Sequence, residues 1–489
     1  MSFQSLAFLI FFPLTVLVYF SLPKRMQWLI LLLAGMVFYA WAIPQYLPLI
    51  LLIIAITYAC GRLMDSGKRA MKPWAFSAAI LIIILTLVAF KYSGFILENL
   101  NRLTGIREGR SQNVFLNLII PLGLSYQSFM AISYLIEVSR GNIRAEKHPG
   151  IFALYLLFFP VILAGPIERP QHLIPQLHER HFPKPLNFTT GLRLMLWGFF
   201  KKLVVADNLA PVVDQVYANP AEQNGLTWMI ATLLFSFQLY FDFSAYTHIA
   251  IGAARILGFR ITENFNEPYR ATSVTDFWRR WHISLSTWLR DYIFTPLSVR
   301  WRNAGRFGGF AALLLTFLLC GFWHEAGWAF IAWGGIHGLI MGVESFVLPV
   351  IHKKRKRKGK QASVWSLNTS MLLTFSMVMF SWVFFRSGSL ELTMRVFSDI
   401  ALTSVPAILD WSRGASVLGG LGRHSVFLLA VLALAIILVL LAERGINRPG
   451  IQAVFHRYAW LRWIIYFILF YSTIFLGNYG ETVFIYARF

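Results

Sequence analysis

Charge is scarce in this sequence. Of 489 residues only 13% are Asp, Glu, Lys or Arg, against about 25% in an ordinary soluble domain, while 57% are hydrophobic. That depletion, with a mean hydropathy of +0.60, excludes an ordinary soluble class and points to a polytopic membrane protein. Cysteine is scarcer still: Cys60 and Cys320 are the only two, and both lie in apolar sequence. A disulfide framework or a thiolate metal centre is therefore not expected. Acidic residues number 22 against 44 basic ones, a formal charge of +22. In a soluble chain that imbalance would suggest nucleic acid, but no RNA- or DNA-binding module is present. Long polar segments are also lacking. Glu98–Gln112, Glu168–Pro185, Arg260–Asp276 and His352–Ser366 are the longest, and none can build a core of its own. No internal repeat is visible, which argues against an inverted-repeat transporter.

What the chain has is apolar length. Long apolar runs cover Ser5–Leu22, Trp28–Ala42, Leu47–Cys60, Trp74–Phe90, Phe310–Ala332, Met371–Phe385, Ser425–Leu441 and Trp460–Leu476. Taking roughly 20 residues per crossing, about 11–13 membrane segments fit the length. Several runs are shorter, so some helices should tilt, re-enter or end inside protein. We read residues 1–489 as one integral membrane domain, with a core over about 121–338 and C-terminal helices over about 365–489. Basic residues cluster in short connections: Lys24 and Arg25; Arg62, Lys68, Arg69 and Lys72; and the run Lys353–Lys360. The positive-inside rule puts these loops in the cytoplasm and the N-terminus outside, in a multi-pass cell-membrane protein in contact with lipid headgroups. The first span lacks a basic n-region and a small-residue cleavage site, so it reads as an uncleaved helix.

Polar residues inside apolar sequence concentrate between Pro121 and Gly338, and lipid would leave them unsatisfied. His324, in LLCGFWHEAGW, heads them: an imidazole with a reference pKa of about 6.5 is able to exchange a proton near neutral pH. A hydrogen-bonded core histidine is the competing reading. Trp323 precedes it, Glu325 follows it, and Gly321, Gly327, Gly334, Gly335 and Gly338 allow close helix packing or close approach to a ligand. His337, thirteen positions on, should face elsewhere and reads as a packing histidine. In Thr275–Leu297, a helical period puts Phe277, Trp278, Trp281, Leu285, Trp288, Leu289 and Tyr292 on one face, with Arg279 and Arg290 nearly opposite and His282 at the edge. Thr275 or Asp276 would cap it. This segment is either an aromatic-belt helix with headgroup-facing arginines or the floor of a site whose arginines hold an anion. In FDFSAYTHIAIG, Asp242 needs a partner, a nearby histidine or arginine or a structural hydrogen bond, and Tyr246 follows four residues later. Pro160, Gly165 and Pro166 break the apolar stretch Phe158–Pro170, which suggests a re-entrant segment with Glu168 and Arg169 at its polar end.

Together PLGLSYQSFMAISYLIEV (Pro121–Val138), FFPVILAGPIERP, FDFSAY, the segment Asn264–Leu297 and GFWHEAGWAFIAWGGIHG (Gly321–Gly338) resemble the membrane-bound O-acyltransferase superfamily. More narrowly they resemble its branch of alginate and peptidoglycan O-acetyltransferase and teichoic-acid D-alanyl transfer proteins, as does the ending ETVFIYARF. The resemblance implies an all-α ring of about 11–13 transmembrane and re-entrant helices around a thinned core with a tunnel. It matches the signature histidine to His324 and the second histidine to His282, forty-two positions earlier. Many members carry glycine where this chain has Glu325 and aspartate where it has His248. The implied reaction is acyl transfer, in this branch directed not to lipid but to a hydroxyl of an exported polysaccharide or to an extracytoplasmic partner, with His324 as general base and His282 catalytic beside it. Trp281, Trp323, Asp242, Tyr246 and Glu325 would line the substrate path, and Arg279 or Arg280 would hold a donor phosphate. No cofactor or metal is implied; acetyl-CoA or an acyl-carrier thioester would serve as donor substrate. Partners would be a carrier protein or an extracytoplasmic acetyltransferase- or esterase-like protein. D-alanyl transfer to teichoic acid is the alternative, followed by an acyl transporter or flippase and by a non-enzymatic scaffold.

Overall fold

The computed structural model describes residues 1–66, 72–105, 121, 123–357, 363–409, 422–446, 453–454, 457–480 and 484. Lys68 and Arg69, the end of the basic run at Lys358–Lys360, and most of the ending ETVFIYARF lie outside the described residues. Among the described residues helix dominates and no strand occurs. Among the described residues seven stretches are long and apolar enough to cross a membrane: Pro44–Asp65, Lys72–Thr104, Gly225–Ile256, Arg302–His324, Trp328–Ile351, Val364–Ser387 and Ala459–Leu476. Large apolar side chains such as Leu6, Trp74 and Phe475 point outward, which suits a lipid-facing surface.

The chain forms two compact units, residues 1–195 with 246–263 and residues 196–245 with 264–485. The first is built from α1 (Leu6–Ser21), α2 (Lys24–Ala40), α3 (Leu47–Asp65), α4 (Lys72–Leu87), α5 (Ser93–Thr104), α6 (Leu124–Arg140), α7 (Pro149–Leu157), α8 (Pro170–His178) and most of α9 (Pro185–Phe199). Ser5 caps α1 by accepting from Phe8 N at 3.2 Å. The break expected after Phe158 is present: α7 stops at Leu157, and irregular chain runs to Pro170. It packs on the start of α6, where Gly123 has φ +72° and a Cβ would meet Ile162 O at 2.2 Å. Only glycine suits both demands. Glu168 corrects the expected polar end, because it is fully buried. Its carboxylate accepts from Thr262 N at 2.5 Å and lies 2.6 Å from His172 Nδ1. Two basic loops share one face of this unit. Lys24, Arg25 and His148 line one groove there, Arg62, Arg144 and Lys147 line another, and Tyr58 donates to Lys147 O at 2.6 Å.

The second unit begins with a π-helical segment, Phe200–Ala206, that runs into α10 (Asp207–Ala218). Helix α11 (Gly225–Ile256) contributes its part up to Ala245. Two short helices follow, α12 (Val274–Arg280) and α13 (Ile283–Leu289), then α14 (Thr295–Arg300). The hairpin of α15 (Gly305–His324) and α16 (Trp328–Arg357) packs against α17 (Val364–Ser387). The unit closes with α18 (Leu390–Leu409), α19 (Gly422–Ile446) and α20 (Ala459–Leu476).

Candidate active site

The apolar run holding His324 is not one continuous helix. Helix α15 ends at His324, Glu325 is extended, and α16 restarts at Trp328. The glycines bring the two helices together. A Cβ on Gly321 would meet Phe330 O at 2.1 Å, and one on Gly334 would meet Phe317 O at 2.1 Å. Such contact of backbones is the packing that small residues permit. It holds His324 in place at a helix end, 1% exposed, with ring centroids of Trp323 at 4.8 Å, Trp333 at 5.2 Å and Phe385 at 5.3 Å. Glu325, by contrast, is exposed.

The aromatic–arginine helix expected over Thr275–Leu297 is broken at Trp281–His282. His282 adopts φ 43°, ψ 54°, a left-handed conformation that costs a residue with a Cβ about 1–2 kcal/mol. The break is held from outside. Asn264 O accepts from Ile283 N and Asn264 Oδ1 from Ser284 N, both at 3.0 Å, while Asn266 N donates to Arg280 O at 3.0 Å. The cap also differs from expectation. Ser273 Oγ accepts from Asp276 N at 3.0 Å, and Glu344 on α16 accepts from Val274 N and Thr275 N at 2.7 and 2.8 Å. Glu344 was invisible as a partner because it lies some seventy positions away.

The turn aims His282 into the core, fully buried, with the Phe243 ring at 4.7 Å and nearly perpendicular. Trp281 is buried beside it, against Phe265 at 5.1 Å and Trp382 at 5.2 Å. Trp382 stacks on Trp333 at 5.6 Å, and Trp333 faces His324. One wall of rings thus joins the two histidine positions. His337 sits behind it in a packing role: Trp278 Nε1 donates to its Nδ1 at 3.2 Å, and its Nε2 lies 2.9 Å from Ser381 Oγ. Ser381 Oγ donates in turn to Val378 O at 2.7 Å, so the chain assigns the His337 proton to Nε2.

The arginines stay at the rim. Arg279 is exposed, Arg280 Nε is 3.0 Å from Asp276 Oδ1, and Arg290 Nε is 2.8 Å from Asp291 Oδ1. Asp242 pairs with Lys202 at 2.7 Å, and Lys202 also reaches Asp207 at 2.8 Å. Lys201 bonds Ser244 Oγ at 2.7 Å and Glu443 at 3.2 Å. Neither lysine figured among the candidates, although two consecutive lysines inside WGFFKKLVVAD are the same kind of signal as a buried aspartate. In the first unit, Tyr246 Oη accepts from Ala164 N in the broken segment at 3.3 Å.

The family model described as MBOAT, membrane-bound O-acyltransferase family, matches residues 143–385. A probable alginate O-acetylase of Azotobacter vinelandii is 34% identical over 92% of this chain and 85% of its own length. The chain belongs to the membrane-bound O-acyltransferase family. A peptidoglycan O-acetyltransferase of Helicobacter pylori is 31% identical, covering 83% of this chain and 80% of its own. A teichoic acid D-alanyltransferase of Streptococcus thermophilus is 29% identical over 56% of this chain and 70% of its own. This membrane-bound O-acyltransferase is an all-α polytopic enzyme, and the matched region contains both histidines and the helix breaks around them.

Proposed function

We propose that the chain transfers an acyl group, acetyl in the first instance, from a cytoplasmic thioester to a hydroxyl of an exported envelope polysaccharide. The observation that carries this is the ring wall that seats His282 and His324 together, each at a break between helices. An imidazole nitrogen of His324 takes the acceptor O–H proton as that oxygen attacks the thioester carbonyl. The new C–O bond forms, the C–S bond breaks, and the proton held on His324 passes to the departing sulfur to give the free thiol. His282 holds the acceptor or polarises the carbonyl, and Trp281 and Trp323 shape the path. Arg279 and Arg280 of α12 hold a donor phosphate. Asp242 acts through Lys202 rather than on substrate. Glu325, exposed between α15 and α16, contacts the substrate.

The face carrying Lys24, Arg25, Arg62 and Lys147 is the cytoplasmic one by the positive-inside rule, which leaves the N-terminus outside. The donor, acetyl-CoA or an acyl-carrier thioester, arrives on that side of the cell membrane. An extracytoplasmic acetyltransferase- or esterase-like partner works with the enzyme on the polymer side. D-alanyl transfer is the second reading, supported by a likeness that spans a smaller share of the chain. The test is His324→Ala in reconstituted vesicles with labelled acetyl thioester. Loss of about 10²–10⁴-fold in transfer at an unchanged membrane level is expected; full retention would overturn the proposal.

A further inference from the structure

One buried charged assembly takes no part in the bond changes of acyl transfer. Lys201 and Lys202 lie consecutively in the π-helical segment Phe200–Ala206, and π-turns of this kind occur preferentially at functional sites. Both ammonium groups are withdrawn from solvent, with side chains 0% and 1% exposed. Three carboxylates meet them: Asp207 and Asp242 on Lys202, and Glu443 of α19 on Lys201. Burying such charges gains little stability over an apolar replacement of the same shape, and breaking one pair strands its partner. An assembly of this kind therefore calls for a geometric role.

Its target is α11. Tyr240 Oη donates to Glu443 at 2.7 Å, Lys202 holds Asp242 at 2.7 Å, and Lys201 donates to Ser244 Oγ at 2.7 Å. Tyr240 and Ser244, four residues apart, share one face of the helix, while Asp242 lies about 200° round from Tyr240. The helix is therefore pinned on opposite sides within a single turn, which fixes both its rotation and its height. Inside that turn, Phe243 carries the ring against His282, and the Tyr240 ring faces Phe265 at 5.6 Å and Trp281 at 6.1 Å.

We infer that Lys201 and Lys202 are positioning residues for acyl transfer: by clamping α11 through Asp242, Ser244 and the Glu443–Tyr240 link, they set the rings that hold Trp281 and His282. This rests on the proposed role of His282. A misplacement of about 1 Å at a reacting group costs about 100-fold in rate, and that loss should run through His282 alone.

The experiment is a double-mutant cycle on transfer activity in vesicles, with Lys202→Met, His282→Ala and the double variant, at matched membrane levels and detergent elution profiles. Lys202→Met is expected to lower transfer about 100-fold and to share the split between kcat and KM shown by His282→Ala. The double variant should be no worse than His282→Ala, because the clamp has nothing left to position. Losses that multiply overturn the inference, as does a His282→Ala enzyme with full activity. If Lys202→Met fails to insert, Tyr240→Phe and Asp242→Asn remove single ties while keeping shape, and the same non-additivity with His282→Ala is required of them. His324→Ala measured alongside separates the two failures. Full activity there defeats the proposed function; lost activity there with multiplying losses in the cycle defeats only the clamp.

Discussion

Adjacent glycines on α16 give the sharpest test of how the hairpin builds the site. A Cβ on Gly334 would sit 2.1 Å from Phe317 O and 3.2 Å from Gly321 Cα, so backbone blocks it on both counts. A Cβ on Gly335 meets only Leu318 Cδ2, at 3.4 Å, an ordinary contact with the end of a flexible side chain. Gly334→Ala must part α15 from α16 by about 1 Å to restore a normal contact distance. Overpacking of that kind costs about 1–3 kcal/mol, of which helix propensity returns about 0.5–1 kcal/mol. The displaced residue next to it is Trp333, whose ring lies 5.2 Å from His324, so a shift of about 1 Å there should cost about 100-fold in transfer. Gly335→Ala receives the same propensity gain without the clash. It should be neutral or slightly more heat-resistant, with activity retained. The assay is thermal unfolding in detergent together with initial rates in vesicles, both variants side by side. Equal behaviour of the two alanines, in either measurement, would refute the claim that backbone contact at Gly334 sets the position of Trp333 and His324.

Further outcomes follow from the same geometry. Glu344→Gln removes the carboxylate that caps α12 from α16 and should lower thermal stability by about 1 kcal/mol; an unchanged unfolding midpoint would show that Ser273 suffices. Donation from its ring N–H to the buried Glu168 carboxylate raises the His172 imidazole above its ordinary 6.5, so its contribution to stability is complete below pH 6.5 and is lost as pH rises through the raised folded value. The unfolding midpoint should accordingly fall across that interval, and His172→Gln should flatten the fall; identical pH profiles would exclude the pair as a source. His282→Asn keeps a residue that tolerates the left-handed turn but removes the imidazole. It should preserve unfolding behaviour while lowering transfer, and a stability loss as large as the activity loss would mean that the histidine serves the turn.

The membrane class and the place of His324 were legible because both rest on local composition: apolar length, sparse charge, and a histidine among tryptophans and glycines. The close α15–α16 packing was legible for the same reason, since Gly321 and Gly334 have no side chain to keep backbones apart. The break at His282 was not. The aromatic period runs through it without interruption, and the left-handed residue is imposed by Asn264, eighteen positions earlier and on another segment. The α12 cap failed similarly, as Thr275 and Asp276 look like good caps locally, yet Ser273 and the distant Glu344 supply the acceptors. For Asp242 the need for a partner was readable but the partner was not, because Lys202 lies forty positions away and only the fold brings them together.

These long-range contacts share a layout that bears on the chemistry. Rings pack directly on the two histidines: Trp323, Trp333 and Phe385 at His324, and Phe243 at His282. Directional contacts also lie one layer behind. Trp278–His337–Ser381 braces the rear of Trp333, Asn264 locks the turn at His282, and Lys202–Asp242 pins the turn that carries Phe243. Rings give a low-dielectric lining in which a hydrogen bond from an entering hydroxyl gains strength, but they orient an imidazole only weakly. The polar layer behind adds precision by fixing the backbone and rings that carry the imidazoles. On this argument, substitutions in the rear layer should act on rate through geometry, and substitutions in the ring layer through access and polarity.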